Sequence, residues 1–186
     1  VFGIVQGGTD SALRRTNARG IAALGFEGYA HGGLGLGEEP TQRADLVATT
    51  NEVLPVASPR YLMGIGYPPD LVDAIAAGID LFDCVIPTRH ARHGVLFSRE
   101  GVLKLRNTRF KQDATPPDPG CDCATCAQHS RAYIRHLLRV KDTLGARLAS
   151  VHNLRFYFRL LEEVRTAIRA GTFGSLREKV RSIPVR

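Results

Sequence analysis

The strongest constraint on the fold is a pattern that occurs four times in residues 1–88: a short apolar segment followed by a turn rich in glycine or polar residues. It predicts strands at 2–5, 28–31 and 61–63 and in the stretch 79–89 around Asp83, which reads as a strand buried on both faces. Helices are predicted between the strands, at about 10–25, 41–53 and 69–78. Short strands that alternate with helices predict a parallel sheet with right-handed crossovers.

The unusual residues of this repeat all follow the carboxyl ends of the predicted strands. They are Gln6 with Gly7 and Gly8, then Gly32 with Gly33, then Gly64-Ile65-Gly66, and finally Asp83. This edge carries the active site in a (β/α) barrel or an open α/β sheet. Four units make half of an eight-stranded barrel, which takes about 250 residues. We therefore expect an α/β fold, a partial TIM (β/α)8 barrel that is its second half, with the first half preceding Val1.

The predicted secondary structure and the net charge of the chain both change after Arg89. A hairpin is predicted around 99–101, then a proline-rich loop at 113–120 and helices at about 130–145 and 152–170. Residues 1–88 hold five Lys or Arg and ten Asp or Glu, a net charge of −5, whereas residues 89–186 hold 20 and 8, a net charge of +12. This asymmetry indicates a polyanionic partner, and a solvated helical surface is the alternative. We predict two domains, 1–88 and 89–186.

Three of the four cysteines are clustered as Cys121-x-Cys123-x2-Cys126. Three thiols within six residues cannot all pair with one another, so a metal ion in a reducing compartment is favoured over disulfides, with free thiols as the alternative. The fourth ligand could be His129, His136 or His152, and the spacing does not choose among them. A closed four-ligand site would be structural. No apolar run approaches the roughly 20 residues that span a membrane, so a cytoplasmic protein without a membrane partner is expected.

Asp83 is the second candidate site residue. An aspartate at the end of a strand often caps the following turn, but Asp83 is surrounded by apolar residues and shares its edge of the sheet with Gln6. The amide of Gln6 could read the edge of a nucleobase, and the neighbouring glycines would let backbone N–H groups approach a planar ligand. Cys84, next in the chain, is better explained as a packing residue than as a nucleophile.

Two further segments have weaker patterns. Gly64-Ile65-Gly66 is explained by a tight turn and is not a dinucleotide fingerprint, because Pro69 stands where a third glycine is needed. The segment 88–93 has two arginines and two histidines just beyond Asp83. Arginine forks suit phosphates and base edges, although a solvated basic loop has the same composition.

Taken together, the motifs resemble those of the tRNA-guanine transglycosylases, in the same order and over nearly the whole chain. The motifs are Val5-Gln6-Gly7-Gly8, Gly32-Gly33-Leu34-x-x-Gly37-Glu38, Tyr61-Leu62-Met63-Gly64-Ile65-Gly66, Phe82-Asp83-Cys84-Val85-Ile86-Pro87-Thr88-Arg89, and Cys-x-Cys-x2-Cys with His152. The resemblance implies the second half of a TIM barrel with a C-terminal zinc-binding subdomain.

The resemblance also implies residue roles. Asp83 would be the nucleophile on the ribose anomeric carbon, and Gln6 and Gly33 would hydrogen-bond the base. One structural Zn²⁺ per chain would be held by Cys121, Cys123, Cys126 and His152. The residues implied in RNA binding around the anticodon are Gly64, Ile65, Gly66, Tyr67, Pro68, Pro69, Asp70, Thr88, Arg89, His90, Ala91 and Arg92.

The implied reaction exchanges guanine at the wobble position of tRNAs with a GUN anticodon for a 7-deazaguanine, in queuosine biosynthesis. It would pass through a covalent intermediate between Asp83 and the ribose, as in retaining glycosidases. The resemblance further implies a homodimer, and two more aspartates that would precede Val1, so that this segment alone would be inactive. The alternative is a zinc-containing tRNA-binding subunit without catalysis, or an inactive fragment of the family.

The incoming base is predicted from side chains that differ within the family. Leu36 is bulky where bacterial members have Val and eukaryotic members have Gly, which favours the small precursor preQ1 over queuine. Tyr67 instead resembles eukaryotic members, and His31 stands where an aliphatic residue is usual.

Overall fold

In a computed structural model, which describes residues 1–185, the first 84 residues form a four-stranded parallel sheet flanked by three helices. The strands lie side by side in chain order, each joined to the next by a helix. The elements are β1 (Phe2–Val5), α1 (Ser11–Ala23), β2 (Gly28–His31), α2 (Pro40–Asn51), β3 (Arg60–Leu62), α3 (Pro68–Ala76) and β4 (Leu81–Phe82). The predicted alternation of parallel strands and helices is confirmed.

One face of this sheet is packed against apolar side chains of the helices and loops. In β1 the residues alternate, with Gly3 and Val5 buried and Phe2 and Ile4 exposed. On the packed side the main cluster is Leu34, Leu46, Val47, Leu62, Ile65, Ala74 and Ile79. Complete burial of each such leucine or valine stabilises the fold by about 1.5–3 kcal/mol. These contacts hold the strands, and hence the loops at their carboxyl ends, in place.

The opposite face of the sheet is exposed at β1 and β4, which corrects one expectation. The stretch around Asp83 was predicted to be a strand buried on both faces, but β4 has two residues, Leu81 is exposed and Asp83 is exposed too. The exposure has its reason in the packing of the sheet, which the alternating burial of β1 shows. Phe2 and Ile4 are exposed because no helix of residues 1–84 lies over the face that carries them.

The second compact unit begins at Val85 and combines a hairpin with helices. Its elements are α4 (Ile86–Arg92), β5 (Val95–Ser98), β6 (Gly101–Lys104), a 3-10 helix (Thr108–Phe110), α5 (Ala124–Gln128), α6 (Arg131–Arg139), α7 (Thr143–Arg169) and α8 (Phe173–Arg181). The predicted hairpin is confirmed, with β5 and β6 antiparallel. The core of the unit joins α4, the hairpin, α6 and α7 through Ala91, Leu96, Leu105, Phe110, Ile134, Leu138 and Ala149.

The helical boundaries in this unit differ from those predicted. The helix expected at 130–145 ends at Arg139, because Lys141 adopts a φ of 60° and the side chain of Asp142 caps a new helix by accepting from the Leu144 amide at 2.8 Å. Gly145, predicted as a stop, lies inside α7, which therefore starts well before the predicted residue 152. The segment 86–92 is a helix rather than a loop.

No helix in the described part of the chain is both long enough and apolar enough to cross a bilayer.

Candidate active site and metal centre

The carboxylate of Asp83 lies directly after β4 and is held by two donors from the neighbouring strand and its turn. The Tyr61 hydroxyl donates to Oδ1 at 2.6 Å, and the Gly64 amide donates to the same oxygen at 3.0 Å. Gly64 has a φ of 74°, a conformation that glycine adopts without strain. The turn after β3 thereby presents its N–H to the end of β4.

These hydrogen bonds set the ionisation of the group. The Tyr61 hydroxyl, and after it the Gly64 amide, lower the pKa of Asp83 below its ordinary value, since both stabilise the anion. Tyr61 and Gly64 both use Oδ1, so Oδ2 is the oxygen that they leave for another partner. An exposed, ionised carboxylate with one such oxygen has the properties of a nucleophile or of a ligand for a positive centre.

Gln6 and the loop after β2 form a second feature at the same edge of the sheet. A β-carbon at Gly32 would lie 2.3 Å from Gln6 Nε2, and one at Gly33 would lie 2.9 Å from Gln6 Oε1. The absence of side chains at these two glycines therefore lets the amide of Gln6 lie against the loop. The Gln6 side chain is exposed, so its amide group is accessible to a planar ligand.

Arg14, on α1, joins the loops that follow β1 and β2. Its side chain is fully buried, with Nε donating to the Gly8 carbonyl at 2.6 Å and Nη2 donating to the Gly32 carbonyl at 2.9 Å. Burial lowers the pKa of Arg14. Because one guanidinium holds both carbonyls, the loops that carry Gln6 and Gly33 are fixed relative to each other.

The residues implied in RNA binding fall in two places. Residues 64–70 form the turn after β3 and the first turn of α3, in the first unit. Residues 88–92 lie on α4, in the second unit. On that short helix Arg89 and Arg92 are exposed, His90 is half-buried and Ala91 is fully buried. The helix thus presents two guanidinium groups to solvent.

The cysteine cluster is completed by His152. One donor atom from each of Cys121, Cys123, Cys126 and His152 lies within 4.8 Å of the others. Nδ1 of His152 is 3.2 Å from the sulfur of Cys126 and 3.7 Å from that of Cys123. None of the four residues is more than 9% exposed. Neither of the other two histidines considered from the sequence belongs to this cluster.

The surroundings of His152 point its free nitrogen at the sulfurs. Nε2 lies 2.7 Å from the carbonyl oxygen of Phe97, an atom that can only accept, so Nε2 carries the proton and Nδ1 keeps its lone pair. Burial lowers the pKa of His152, which favours this neutral form. Next to it on α7, Asn153 accepts from the Phe97 amide and donates to the carbonyls of Pro87 and Val95.

The donor set fits a metal ion. Burial raises the pKa values of the Cys123 and Cys126 thiols when no cation is present. The backbone amide of Cys126 donates to the sulfur of Cys123, as an amide does to a metal-bound thiolate. Three sulfurs and one imidazole nitrogen match the closed tetrahedral sites typical of structural metals. The four residues could therefore hold a metal ion that ties the loop before α5 to α7.

Sequence reasoning did not identify three of the side chains described here or below. In the sequence Tyr61 is only part of a predicted strand and of the motif that includes it, and nothing singles out Arg14 or Arg43. Arg14 and Arg43 share a signal, a long charged side chain on the buried face of its helix, and each is at least 92% buried. Such a side chain needs buried partners, which here are the loops of the site.

Comparison with known proteins shows the family of this chain. The family model described as Queuine tRNA-ribosyltransferase matches residues 1–183. Proteins with that name from Nitrosomonas europaea, Nitrosomonas eutropha and Thiobacillus denitrificans are 51%, 52% and 53% identical over 179, 173 and 174 residues. The matches cover 96%, 93% and 94% of this chain but 48%, 48% and 47% of those proteins, so it spans about half the length of the curated relatives it matches. The family match over nearly the whole chain, with identity near one half, establishes that this chain belongs to the queuine tRNA-ribosyltransferase family.

Proposed function

We propose that this chain is the part of a tRNA-guanine transglycosylase that carries the nucleophile, Asp83, and a zinc-stabilised RNA-binding region. The observation that carries the proposal is the Asp83 carboxylate, held through Oδ1 by Tyr61 and Gly64 at the end of β4. Gln6 and Gly33 follow β1 and β2 of the same parallel sheet, and so lie at the same edge. The nucleophile and the base-reading groups would thus be at one end of the strands.

In the first step, an oxygen of Asp83 attacks the anomeric carbon of the wobble nucleotide, and the bond from that carbon to the guanine nitrogen breaks. Guanine leaves with a proton, and the ribose is held to Asp83 as an ester-like intermediate. In the second step a ring nitrogen of a 7-deazaguanine attacks the same carbon and displaces the carboxylate, and the proton of that nitrogen is given up to a base of the completed site. The target base must leave its stack to be reached, and Gln6 and Gly33 would hydrogen-bond it once it is outside the stack.

The remaining half of the barrel would complete the site. The open sheet face with Phe2 and Ile4 would become the barrel interior, covered by strands that precede Val1. In this arrangement residues 1–88 are the second half of the barrel, and residues 89–186 are the basic, metal-binding region. Aspartates on the preceding strands would handle the protons and recognise the base.

RNA would be bound by residues 64–70 and by the exposed arginines of α4, Arg89 and Arg92. The net charge of +12 over residues 89–186 supports contact with the phosphates of the anticodon stem and loop. The metal held by Cys121, Cys123, Cys126 and His152 would be zinc, with a structural role. The resemblance further implies a cytoplasmic protein and a homodimer, and light scattering of the purified protein tests the dimer.

The nucleophile assignment is tested with full-length protein, tRNA and an analogue of the incoming base, separated on a denaturing gel. We expect a covalent protein–RNA band with the wild type and none with Asp83→Asn. Asp80→Asn, an acid on the same segment, is the matched control and should retain the band. A covalent band that survives Asp83→Asn would overturn the assignment, and tRNA binding without any band in the wild type would favour a non-catalytic subunit.

For the incoming base we propose preQ1 rather than queuine, because Leu36 leaves less room than the glycine of eukaryotic members. Base-exchange assays with both compounds on the full-length enzyme decide between them. Better turnover with queuine would refute the preference for preQ1.

A further inference from the structure

Arg43, near the start of α2, lies between two loops and forms ion pairs with a carboxylate from each. Its Nη1 is 3.2 Å from Oε1 of Glu38, and its Nη2 is 2.8 Å from Oδ2 of Asp70. The side chains of Arg43, Glu38 and Asp70 are only 10%, 3% and 10% exposed. The three groups therefore form a nearly buried triad. Asp70 belongs to the segment that we propose binds RNA, whereas the proposed reaction has given Arg43 and Glu38 no role so far.

One end of the triad determines the shape of residues 32–38, hereafter the base loop, which contains Gly33. The Glu38 carboxylate accepts from the Gly35 amide at 2.5 Å and from the Leu36 amide at 3.1 Å. Gly33 and Gly35 have φ values of 67° and 79°, so the loop bends back on itself and returns to Glu38. An ionised Glu38 that also pairs with Arg43 keeps this bend closed.

The other end of the triad holds residues 64–70, hereafter the RNA loop. Asp70 is the last residue of that segment and lies in the first turn of α3, where a negative charge is favourable. The two loops also contact each other directly: a β-carbon at Gly35 would lie 2.8 Å from Cδ1 of Ile65. Leu34 and Ile65 belong to the same apolar cluster.

A guanidinium is suited to this position because its planar fork presents separate nitrogens to two carboxylates. Without it, two carboxylates with little access to water would lose the cation with which both pair, which favours movement of either one toward solvent or uptake of a proton. Movement of Glu38 would release the base loop, and movement of Asp70 would release the RNA loop. The two loops thus share one electrostatic support.

We propose that Arg43 is a positioning residue that couples the base loop to the RNA loop, so that ordering of either loop by its ligand stabilises the other. The identity of the two ligands rests on the proposed function. The coupling itself involves only residues of this chain and can be measured without either ligand.

The test measures hydrogen–deuterium exchange by mass spectrometry in the full-length protein, in peptides that cover residues 32–38 and 64–70. Asp70→Asn should speed hydrogen exchange in the base loop about tenfold, which corresponds to a coupling free energy in the range measured for contacting residues. The effect would pass through Arg43 and Glu38, since the Gly35 and Leu36 amides of that loop donate to Glu38. In an Arg43→Met background the same change should add nothing. An unchanged base loop in Asp70→Asn, or an equal effect with and without Arg43, would overturn the coupling.

Two further variants separate coupling from a general loss of structure. Arg15→Met breaks the more exposed ion pair with Glu52 and should leave exchange in both loops unchanged. Arg43→Lys keeps the charge but not the fork, so at most one loop should keep its wild-type protection, and wild-type protection of both loops would contradict the proposal.

A kinetic measurement links the coupling to the reaction. Asp70→Asn should raise KM for the incoming base several-fold, with a smaller effect on kcat, because Asp70 acts on the base loop through Arg43. An unchanged KM would contradict this transmission. If the full-length wild type does not exchange bases at all, the proposed function fails. The hydrogen–deuterium exchange experiment then still decides whether the loops are coupled.

Discussion

The Tyr61 hydroxyl donates to Oδ1 of Asp83 at 2.6 Å, from the strand that lies beside β4. Tyr61 is paired in register with Leu81, two residues before Asp83, so its side chain reaches along the sheet to the carboxylate. The bond stabilises the carboxylate anion and the neutral phenol together: it lowers the pKa of Asp83 and raises that of Tyr61. An ionised Asp83 is thereby maintained to lower pH than an isolated aspartate would be.

Tyr61→Phe should raise the pKa of Asp83 toward its ordinary value. Since a nucleophilic carboxylate must be deprotonated, the acid limb of the pH profile of kcat/KM for base exchange should move to higher pH. Tyr133→Phe, an exposed tyrosine on α6, is the control and should leave the profile unchanged. An identical acid limb in Tyr61→Phe would show that this hydroxyl does not control the ionisation of Asp83.

His31 should make the first unit less stable in acid. It is fully buried, its Nε2 donates to Asn51 Oδ1 at 2.9 Å, and its Nδ1 has no partner among the described residues. Burial lowers its pKa from 6.5 to about 4. The unfolded chain therefore takes up a proton first as pH falls, and the free energy of unfolding decreases by about 3 kcal/mol between pH 7 and pH 4.

Replacing His31 should remove this pH dependence. In His31→Val the free energy of unfolding, from urea titrations at several pH values, should be lower at pH 7 because Asn51 loses its donor, but should decrease less toward pH 4. His136→Gln, at an exposed histidine, should retain the wild-type slope. A wild-type slope in His31→Val would contradict the assignment.

Cys123→Ser should release the metal, because a hydroxyl is a far weaker ligand for a soft cation than a thiolate. Elemental analysis should find about one zinc per chain in the wild type and much less in the variant, and the helices after Val85 should unfold at a lower temperature. Cys84→Ser, outside the cluster, should retain its metal. Unchanged zinc content in Cys123→Ser would argue against the site.

Gly145→Ala should destabilise the second unit, although alanine is the better helix former. A β-carbon there would lie 2.9 Å from Cβ of Leu137 and 3.0 Å from the backbone nitrogen of Leu138, so α6 and α7 would have to separate. We expect a loss of about 1–3 kcal/mol in the free energy of unfolding. Gly174→Ala, at a helical position on α8 with no atom within 4 Å, should be neutral or slightly stabilising. Equal stability of both variants would contradict the close packing.

Local patterns were sufficient for β1, β2 and the alternation of parallel strands with helices. The spacing of apolar residues and glycines located β1 and β2 at their observed bounds and predicted a helix from about residue 10, where α1 begins at Ser11. These features depend on neighbours within a few residues, which the sequence displays directly. The same rules failed at Gly145, which looks like a helix end but lies inside α7, because the Asp142 side chain caps a new helix that begins before it.

Contacts between distant segments settled the details of the site. The spacing of the cysteines indicated a metal but left three histidines open, and His152 joins them because the Phe97 carbonyl, 55 residues earlier, orients its ring. Arg43 is an ordinary helix residue in the sequence, yet it pairs with Asp70, 27 residues later. Partners so far apart in the chain leave no local pattern, because only the folded backbone brings their atoms within hydrogen-bonding distance.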